Sequence, residues 1–241
     1  MALPTADIAA VIRRSTRIFS VCRKFLPTAY RQLLLQISLH YTRMEAKFEE
    51  LIEGYITGNI GISEAFLTKE LSEALTVNLL ALSRDGGLTT AGIGNDAVKA
   101  TAITIRSDKT SWLDAASRNS AEMEFLDLVA RFIGYMNETC YTGLNAFEFH
   151  YALYEKGAFY GRHKDQFRNN NSRKFSMISY LNEDWQTTDG GQLVIHHEGR
   201  AAQNISPNSG KTVFFKSDIL EHEVTAASRP RMSVTGWLKQ V

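Results

Sequence analysis

The chain has 241 residues, with 27 basic and 26 acidic side chains and a formal net charge of +1 at pH 7. A charge balance this close to neutral argues against a surface that binds nucleic-acid phosphates throughout, so we expect no nucleic-acid partner. The length is enough to bury one substantial core with a helical flank, but two full domains are not expected.

Cysteine usage and hydropathy set further limits. Cys22 and Cys140 are far apart and lack the Cys-x-x-Cys spacing of a zinc site. This usage argues against a disulfide scaffold and is typical of a reducing compartment, so a cytoplasmic location is expected. No apolar run is long enough for a transmembrane segment, which needs about 18 residues or more.

The first 43 residues differ in composition from the rest of the chain. They are rich in arginine and contain one acid, Asp7. This composition is typical of a transit peptide, but the apolar residues 33–39 equally suit a docking helix or a membrane-surface contact. A third explanation is that the start of translation is assigned too far upstream, since Met44 begins a segment of ordinary globular composition. We therefore predict that residues 1–43 form a basic extension, disordered or helical, outside the main fold.

Residues 44–142 show mainly helical periodicity. Apolar residues in Phe48–Ile56 recur at i, i+3 and i+4, and Gly58 predicts the end of that helix. Thr68 is a candidate N-cap for a second helix, whose leucines are expected in the core: Leu71, Leu75, Leu79 and Leu82. A third helix is predicted at Glu122–Tyr135. Between these last two helices we predict loops at 87–100 and Ser107–Asp114, separated by a strand at Thr101–Arg106.

After Gly143 the pattern changes from helical to alternating. The stretch Phe147–Tyr154 predicts a strand with two faces, one carrying Phe147, Phe149, Tyr151 and Leu153, the other carrying Glu148, His150, Ala152 and Tyr154. Further strands are predicted at Phe175–Leu181, Gly191–His196, Lys211–Lys216 and Arg231–Leu238. Helices followed by strands indicate an α+β fold, with helices bracing one side of a β-sandwich or barrel.

The strongest chemical signal is the pair His163 and Asp165. On a β-strand this spacing directs both side chains to one face. An imidazole and a carboxylate are two of the three ligands of a 2-His-1-carboxylate site, which holds Fe(II) and leaves three positions open. The tripeptide alone is weak evidence, and the third ligand must be a distant histidine, for which His222 is the candidate. His196 and His197 are predicted to be surface or packing residues of a hairpin arm.

The last predicted strand directs four residues to one face: Arg231, Ser233, Thr235 and Trp237. An inward arginine with a hydroxyl group two residues further on can bind a carboxylate through several hydrogen bonds. Tyr154 and Tyr180 lie on predicted strands of the same region and could donate to the same carboxylate. Taken singly, each residue also suits an ordinary structural place, as a solvated edge-strand arginine or a buried tyrosine.

The stretch Tyr154–Trp237 resembles the catalytic domain of prolyl 4-hydroxylases, a family of iron(II) and 2-oxoglutarate dioxygenases. It looks most similar to the oxygen-sensing prolyl hydroxylases and their bacterial relatives. The matching pieces are Tyr154 with Gly157, His163-x-Asp165, Tyr180-Leu181-Asn182-x-Asp184-Trp185, Gly190-Gly191-x-Leu193, Phe214-Phe215-x-Ser217-Asp218, His222-Glu223-Val224 and Arg231-x-Ser233-x-Thr235-x-Trp237. Upstream, Asp108–Leu113 is weakly similar to the element before the family's core, and residues 1–43 have no counterpart.

The resemblance implies a metal site and a cosubstrate pocket. Three residues would bind Fe(II): His163, Asp165 and His222. Arg231 would pair with the far carboxylate of 2-oxoglutarate, and the rest of the pocket would comprise Tyr180, Tyr154, Ser233, Thr235 and Trp237. O₂ would be the second cosubstrate and L-ascorbate a reductant that restores oxidised iron. The implied fold for 143–241 is a double-stranded β-helix (jelly roll), with 44–142 as helical support and substrate-loop region.

Three functions fit these residues. The first is hydroxylation of a proline in a protein or peptide substrate, with release of succinate and CO₂. Residues 94–118, with Trp112 behind a tip at Gly94–Asp96, would then close over the peptide. The second is a related dioxygenase acting on another residue or a small molecule. The third, least expected beside Arg231 and a full triad, is a module that binds a metal or ligand without turnover.

Overall fold

The structure is a computed structural model that describes residues 28–91, 106–114, 116–166 and 171–241. Within these residues, three helices come before most of the strands. The helices are α1 (Thr28–Gly58), α2 (Lys69–Arg84) and α3 (Ser120–Cys140). Two compact units divide the chain, Met1–Lys47 and Phe48–Val241, and the described part of the first belongs to α1. Within the described ranges no helix has the length and hydropathy needed to cross a membrane.

Capping and periodicity explain the helix bounds. The Thr68 hydroxyl accepts a hydrogen bond from the backbone N–H of Leu71, which confirms the predicted N-cap of α2. Of the four α2 leucines that the sequence placed in the core, Leu82 is only half-buried and the other three are buried. Ile56 was grouped with the apolar face of α1, which is wrong because its side chain is 70% exposed in the last turn.

Eleven strands, within the described residues, form two antiparallel sheets. Their bounds are β1 (Ile60–Ser63), β2 (Thr89–Thr90), β3 (Lys109–Trp112), β4 (Ala146–Tyr154), β5 (Tyr160–His163), β6 (Arg173–Tyr180), β7 (Leu193–His196), β8 (Gln203–Ile205), β9 (Thr212–Lys216), β10 (Glu221–Val224) and β11 (Arg231–Lys239). The seven-stranded sheet has the order β1-β9-β6-β11-β4-β3-β2, and the four-stranded sheet has the order β5-β10-β7-β8. A 3-10 turn at Thr187–Asp189 precedes β7.

The two sheets share one apolar core, to which β4, β6 and β9 contribute from the larger sheet and β7, β8 and β10 from the smaller. The helices pack on the other face of the larger sheet. Phe125 of α3 lies edge-on to Phe149 of β4 at 5.2 Å, and Phe132 of α3 contacts Phe214 of β9 at 5.3 Å. This arrangement confirms the predicted α+β double-stranded β-helix with helices on one side.

The two loops predicted between α2 and α3 are partly wrong. Ser107–Asp114 contains β3, which pairs with the edge of β4, so that Thr110 lies opposite Ala152. The polar side chains of this segment predicted a loop. Its β propensity comes from a threonine and a tryptophan, and it depends on their packing on a half-buried surface. The predicted loop 87–100 contains β2. The predicted strand at Thr101–Arg106 and the tip at Gly94–Asp96 lie outside the described residues, apart from Arg106, which forms an isolated bridge with Tyr160.

Several short strands were also not predicted from the sequence. The strands β1, β5, β8 and β10 have three or four residues each. Runs this short contain too few side chains for alternation to be read, and they become strands through pairing with a neighbour. Two of them, β5 and β10, carry the histidines of the candidate metal site.

We predict that deletion of residues 1–43 leaves metal binding and 2-oxoglutarate turnover intact. Every candidate site residue lies beyond Gly143, and the second compact unit begins at Phe48. The measurement is succinate formation per mole of truncated protein, compared with the full chain. A truncated protein that folds but has lost turnover would show that the segment belongs to the catalytic fold.

Candidate metal centre and cosubstrate pocket

Two histidines meet across neighbouring strands of the smaller sheet. His163 is the last residue of β5 and lies directly opposite His222 of β10 in the antiparallel pairing. The centroids of the two imidazole rings are 4.3 Å apart. Directly opposite residues of an antiparallel pair lie on the same face, so the pairing itself brings the two side chains together.

Asp165 joins the histidines from a bend and not from a strand. The prediction that His163 and Asp165 lie on one strand face is wrong because β5 ends at His163. The Asp165 Oδ1 atom is 3.3 Å from His163 Nε2, and Oδ2 is 3.7 Å from His222 Nε2. One nitrogen or oxygen of each residue lies within 4.8 Å of the other two. This spacing is close to that required of three ligands on one small ion.

Backbone carbonyl groups select the imidazole nitrogen that faces this cluster. Nδ1 of His163 is 2.8 Å from the carbonyl oxygen of Gly161, and Nδ1 of His222 is 3.2 Å from that of Leu220. A carbonyl oxygen accepts hydrogen bonds and cannot donate them, so the ring nitrogen that faces it must carry the proton, which places the proton on Nδ1 of each ring. The lone pair of each Nε2 is then available to a metal ion.

The charge states also suit metal binding. Burial lowers the pKa of His222, which favours its neutral imidazole. Burial acts to raise the pKa of Asp165, but nearby His222 and His163 lower it by more, so that this pKa lies well below its usual range. Neutral imidazole and ionised carboxylate are the forms that bind metals.

A set of residues that the sequence analysis did not assign supports the His163 ring. Tyr160 stacks on it with 3.6 Å between centroids and 12° between planes. The guanidinium of Arg106 lies 4.3 Å from the Tyr160 ring centroid and donates two hydrogen bonds, of 2.7 and 2.6 Å, to the buried carboxylate of Asp108. These contacts restrict the orientation of a ligand imidazole, as outer partners of metal sites commonly do.

Arg231 is the first residue of β11 and is 1% exposed. Its Nε donates a 2.8 Å hydrogen bond to the carbonyl oxygen of Gly191. Its Nη2 is also buried, and no described residue offers it a hydrogen-bond partner. Because an unpaired buried donor on a charged group is costly, this nitrogen indicates a place for an anionic ligand.

Two tyrosines flank this guanidinium. Its central carbon is 4.9 Å from the Tyr154 ring centroid and 5.0 Å from that of Tyr180. Tyr154 lies opposite Arg231 on β4, whereas Tyr180 lies opposite Ser233 on β6. Burial raises the pKa of both tyrosines, that of Tyr180 to about 12. Both hydroxyl groups therefore remain protonated, and that of Tyr180 has no hydrogen-bond partner among the described residues.

The other pocket residues of β11 have different positions. Thr235 and Trp237 line the central cavity, whereas Ser233 does not. The Ser233 hydroxyl is within 3.1 Å of that of Thr235 and is fully enclosed. The predicted polar face of β11 therefore points into the core, with Ser233 supporting Thr235 instead of facing the cavity.

Asn182 holds the start of β11 in place. Its Oδ1 accepts a 2.6 Å hydrogen bond from the Met232 N–H, and its Nδ2 donates to the carbonyl oxygens of Met232 and Pro207 at 3.0 and 2.8 Å. These three hydrogen bonds fix the backbone beside Arg231. The asparagine of the Tyr180–Trp185 motif therefore positions the arginine without touching the cavity.

The glycine pair of the sequence motif lies against the arginine. Gly191 has a φ of +63°, and a Cβ there would lie 3.2 Å from Cδ of Arg231 and 3.0 Å from the Trp185 ring. The Trp185 Nε1 donates a 3.0 Å hydrogen bond to the carbonyl oxygen of Gly190. Glycine is therefore needed at 191 both for its backbone conformation and for the close approach of the guanidinium stem.

One cavity of about 510 Å³ connects these groups. It is lined by the three candidate metal ligands and by Arg231, Tyr154, Thr235 and Trp237, with His150, Arg106 and Arg173 among the residues that the sequence analysis did not assign. The signal for His150 was present in the sequence, since alternation placed it on the same face of β4 as Tyr154. His196 is paired with Glu223 at 3.0 Å and His197 with Gln203 at 3.3 Å, and neither lines this cavity.

The residues present fit both an Fe(II) ion and 2-oxoglutarate. Two available Nε2 atoms and a carboxylate supply the donor set of a 2-His-1-carboxylate site. The unpartnered donors of Arg231 and Tyr180 supply a buried place for a carboxylate. Assignment of each residue to iron or to the cosubstrate stays a prediction.

The family model of the 2OG-Fe(II) oxygenase superfamily matches residues 149–239. Among solved structures, a Pseudomonas putida prolyl-4-hydroxylase is 32% identical and has a TM-score of 0.72, over 80% of this chain and 99% of the other. A prolyl hydroxylase from Trichoplax adhaerens, solved with a peptide fragment of the hypoxia inducible factor oxygen degradation domain, is 23% identical with a TM-score of 0.75, over 91% and 96%. At that identity the second match shows the fold alone.

Curated relatives include Egl nine homolog 1 from Homo sapiens and from Rattus norvegicus. Each is 28% identical over 197 residues, which make up 74% of this chain. The match covers 43% of the human protein and 54% of the rat protein. This chain therefore spans about half the length of the curated relatives that it matches.

Proposed function

Since the chain belongs to the 2OG-Fe(II) oxygenase superfamily, we propose that it is an iron(II)- and 2-oxoglutarate-dependent dioxygenase that hydroxylates a proline in a protein or peptide substrate. The bacterial prolyl-4-hydroxylase at 32% identity, matched over nearly its whole length, supports this choice of substrate class. The Trichoplax adhaerens enzyme, which was solved with a peptide, shares the fold.

One observation carries the proposal. The triad of candidate ligands and the buried guanidinium of Arg231, with its unpartnered Nη2, line the same cavity. A module that binds a metal without turnover would need the triad, but it would not need a buried arginine that binds an anion in the same cavity. A 2-oxo dicarboxylate needs both, because one end must reach the metal and the other a fork-shaped cation.

The residues of this chain would bind, orient and enclose the metal ion and the cosubstrate. Bound iron and 2-oxoglutarate supply the oxidising chemistry, in which one oxygen atom of O₂ enters succinate and the other the substrate hydroxyl, with release of CO₂. His163, His222 and Asp165 would hold the ion, and the carbonyls of Gly161 and Leu220 keep the imidazoles in the binding tautomer. The tyrosines beside Arg231 stay protonated, and their hydroxyl groups would donate hydrogen bonds to the cosubstrate carboxylate.

Two further expectations belong to the proposal. L-ascorbate is proposed as the reductant that restores iron oxidised in turnovers without substrate, which succinate assays with and without ascorbate would measure. A cytoplasmic location is proposed from the cysteine usage. Imaging of the tagged full chain tests it.

The test of function measures two products. Protein incubated with Fe(II), O₂ and 2-oxoglutarate is expected to form succinate, and a His163→Ala variant prepared in parallel is the control. Proteins trapped by the inactive variant are then treated with active enzyme and analysed by mass spectrometry for one added oxygen on proline. Succinate no higher than in the control would contradict the enzyme assignment. Succinate with oxygen added elsewhere would contradict only the choice of proline.

A further inference from the structure

His150 is a buried polar residue of the cavity to which the family resemblance assigns no role. It lies on β4 between Thr235 of β11 and Trp112 of β3 in the sheet pairing. The side chain is 4% exposed and lines the same cavity as the triad and Arg231. A histidine on an interior strand face normally finds a hydrogen-bond partner within the protein.

No described residue supplies such a partner to Nδ1 of His150. Burial, with Arg106 nearby, lowers the pKa of this imidazole to about 4, so the ring is neutral and carries one N–H. In proteins, a buried N–H without an acceptor is rarer than a buried acceptor without a donor. The proton therefore belongs on Nε2, the nitrogen left to the cavity, where the ring offers one hydrogen-bond donor.

A series of contacts connects His150 with the metal end of the cavity. The His150 ring stacks on Trp237, with 5.5 Å between centroids and 29° between planes. Arg173 covers the Trp237 ring at 3.4 Å, and its Nη1 donates a 3.3 Å hydrogen bond to the carbonyl oxygen of Asp165. Two residues, Trp237 and Arg173, thus lie between His150 and Asp165 of the candidate triad.

The distance to Arg231 suits the cosubstrate. Arg231 lies opposite Tyr154, and His150 is four residues before Tyr154 on the same face of β4, a backbone separation of about 13 Å. The two carboxyl carbons of an extended five-carbon dicarboxylate are about 5 Å apart. With about 1.2 Å for the carbon–oxygen bond and about 3 Å for the hydrogen bond at each end, such a molecule spans about 13 Å, which matches this backbone separation.

We propose that His150 is a further cosubstrate-positioning residue, whose Nε2–H donates a hydrogen bond to the 2-oxo-acid end of 2-oxoglutarate while Arg231 holds the opposite carboxylate. This inference rests on the proposed function of the same cavity. Its alternative is a purely structural role, in which the flat ring only fills the space between Trp112 and Trp237.

Substitutions at His150 separate the two roles. His150→Phe keeps a flat ring for stacking and removes the donor, whereas His150→Gln keeps an N–H donor and removes the ring. His150→Leu removes both and serves as a second donor-free variant. The histidine control is His197→Phe on the β7–β8 hairpin, since His197 does not line the cavity. The measured quantities are the Kd for Mn(II) and, with Mn(II) bound, the Kd for 2-oxoglutarate by calorimetry.

The expected result is a Kd for 2-oxoglutarate raised about tenfold by His150→Phe and His150→Leu, as for loss of one hydrogen bond to a charged group. His150→Gln and His197→Phe should stay within about threefold of wild type, and the Kd for Mn(II) should not change. Wild-type affinity in a donor-free variant, loss in the Gln variant alone, or weakened Mn(II) binding would overturn the inference. If the wild-type protein itself does not bind 2-oxoglutarate with Mn(II), the proposed function fails instead.

Discussion

Asp165→Ala is expected to abolish 2-oxoglutarate turnover while leaving the fold in place. Asp165 is the anionic member of the triad, and its carboxylate oxygens lie 3.3 Å and 3.7 Å from the two imidazoles. Removal of the charged ligand weakens metal binding strongly, but it opens no large apolar cavity in the core. The measurement is succinate formation at saturating Fe(II), together with the thermal unfolding temperature of the metal-free protein.

The metal-dependent stability of the same variant provides a second readout. A ligand that binds only the folded state stabilises it by about 2.7 kcal/mol at 100 times its Kd. Wild-type protein should therefore unfold at a higher temperature with Mn(II), and Asp165→Ala should show little of this increase. Asp127→Ala removes an exposed carboxylate from the Asp127–Arg131 pair on α3, and it should behave as wild type. Near-normal succinate formation by Asp165→Ala would show that another carboxylate completes the site.

Arg231→Ala is expected to raise the KM for 2-oxoglutarate by far more than it changes metal affinity. The guanidinium is enclosed, flanked by Tyr154 and Tyr180, and keeps one nitrogen unpartnered among the described residues. Its loss would leave the cosubstrate carboxylate buried without a counter-ion, which costs on the order of 2 to 5 kcal/mol. The expected rise in KM is therefore about 30-fold or more. The Kd for Mn(II) should hardly change, because Arg231 is not a ligand.

Arg231→Lys tests whether geometry matters as well as charge. Lysine keeps the charge but lacks the planar fork, so the KM should lie between those of the wild-type and Ala proteins. Arg200→Ala, at an exposed arginine between β7 and β8, is the charge control and should leave both constants unchanged. An Arg231→Ala protein with weakened Mn(II) binding and an unchanged KM would contradict the proposed arrangement of the site.

Long periodic elements were predictable from the sequence for a simple physical reason. The α2 leucines repeat on one face, and the Thr68 cap can act before any tertiary contact forms. The strand β4 has nine residues, enough for the inward and outward sets to separate. Such local signals do not depend on which other segment the element pairs with.

The shorter strands were not predictable in the same way. The strand β3 contains Lys109, Thr110, Ser111 and Trp112, which resemble a polar loop until Thr110 is paired with Ala152 and buried. The strands β5 and β10 have four residues each and take their conformation from the pairing of His163 with His222. Propensity over four residues is weak, and tertiary context overrides it.

The amino-acid sequence by itself determined the α+β class, the long helices and strands, and the identity and order of the residues that resemble a prolyl hydroxylase site. Those properties reside in side-chain type and spacing along the chain. Only the tertiary structure decided that β5 ends at His163 with Asp165 in a bend, that Ser233 faces Thr235, and that His150 shares the cavity. Each of these features depends on contacts between segments that are far apart in the chain. The free energy of such contacts cannot be read from the sequence of one segment alone.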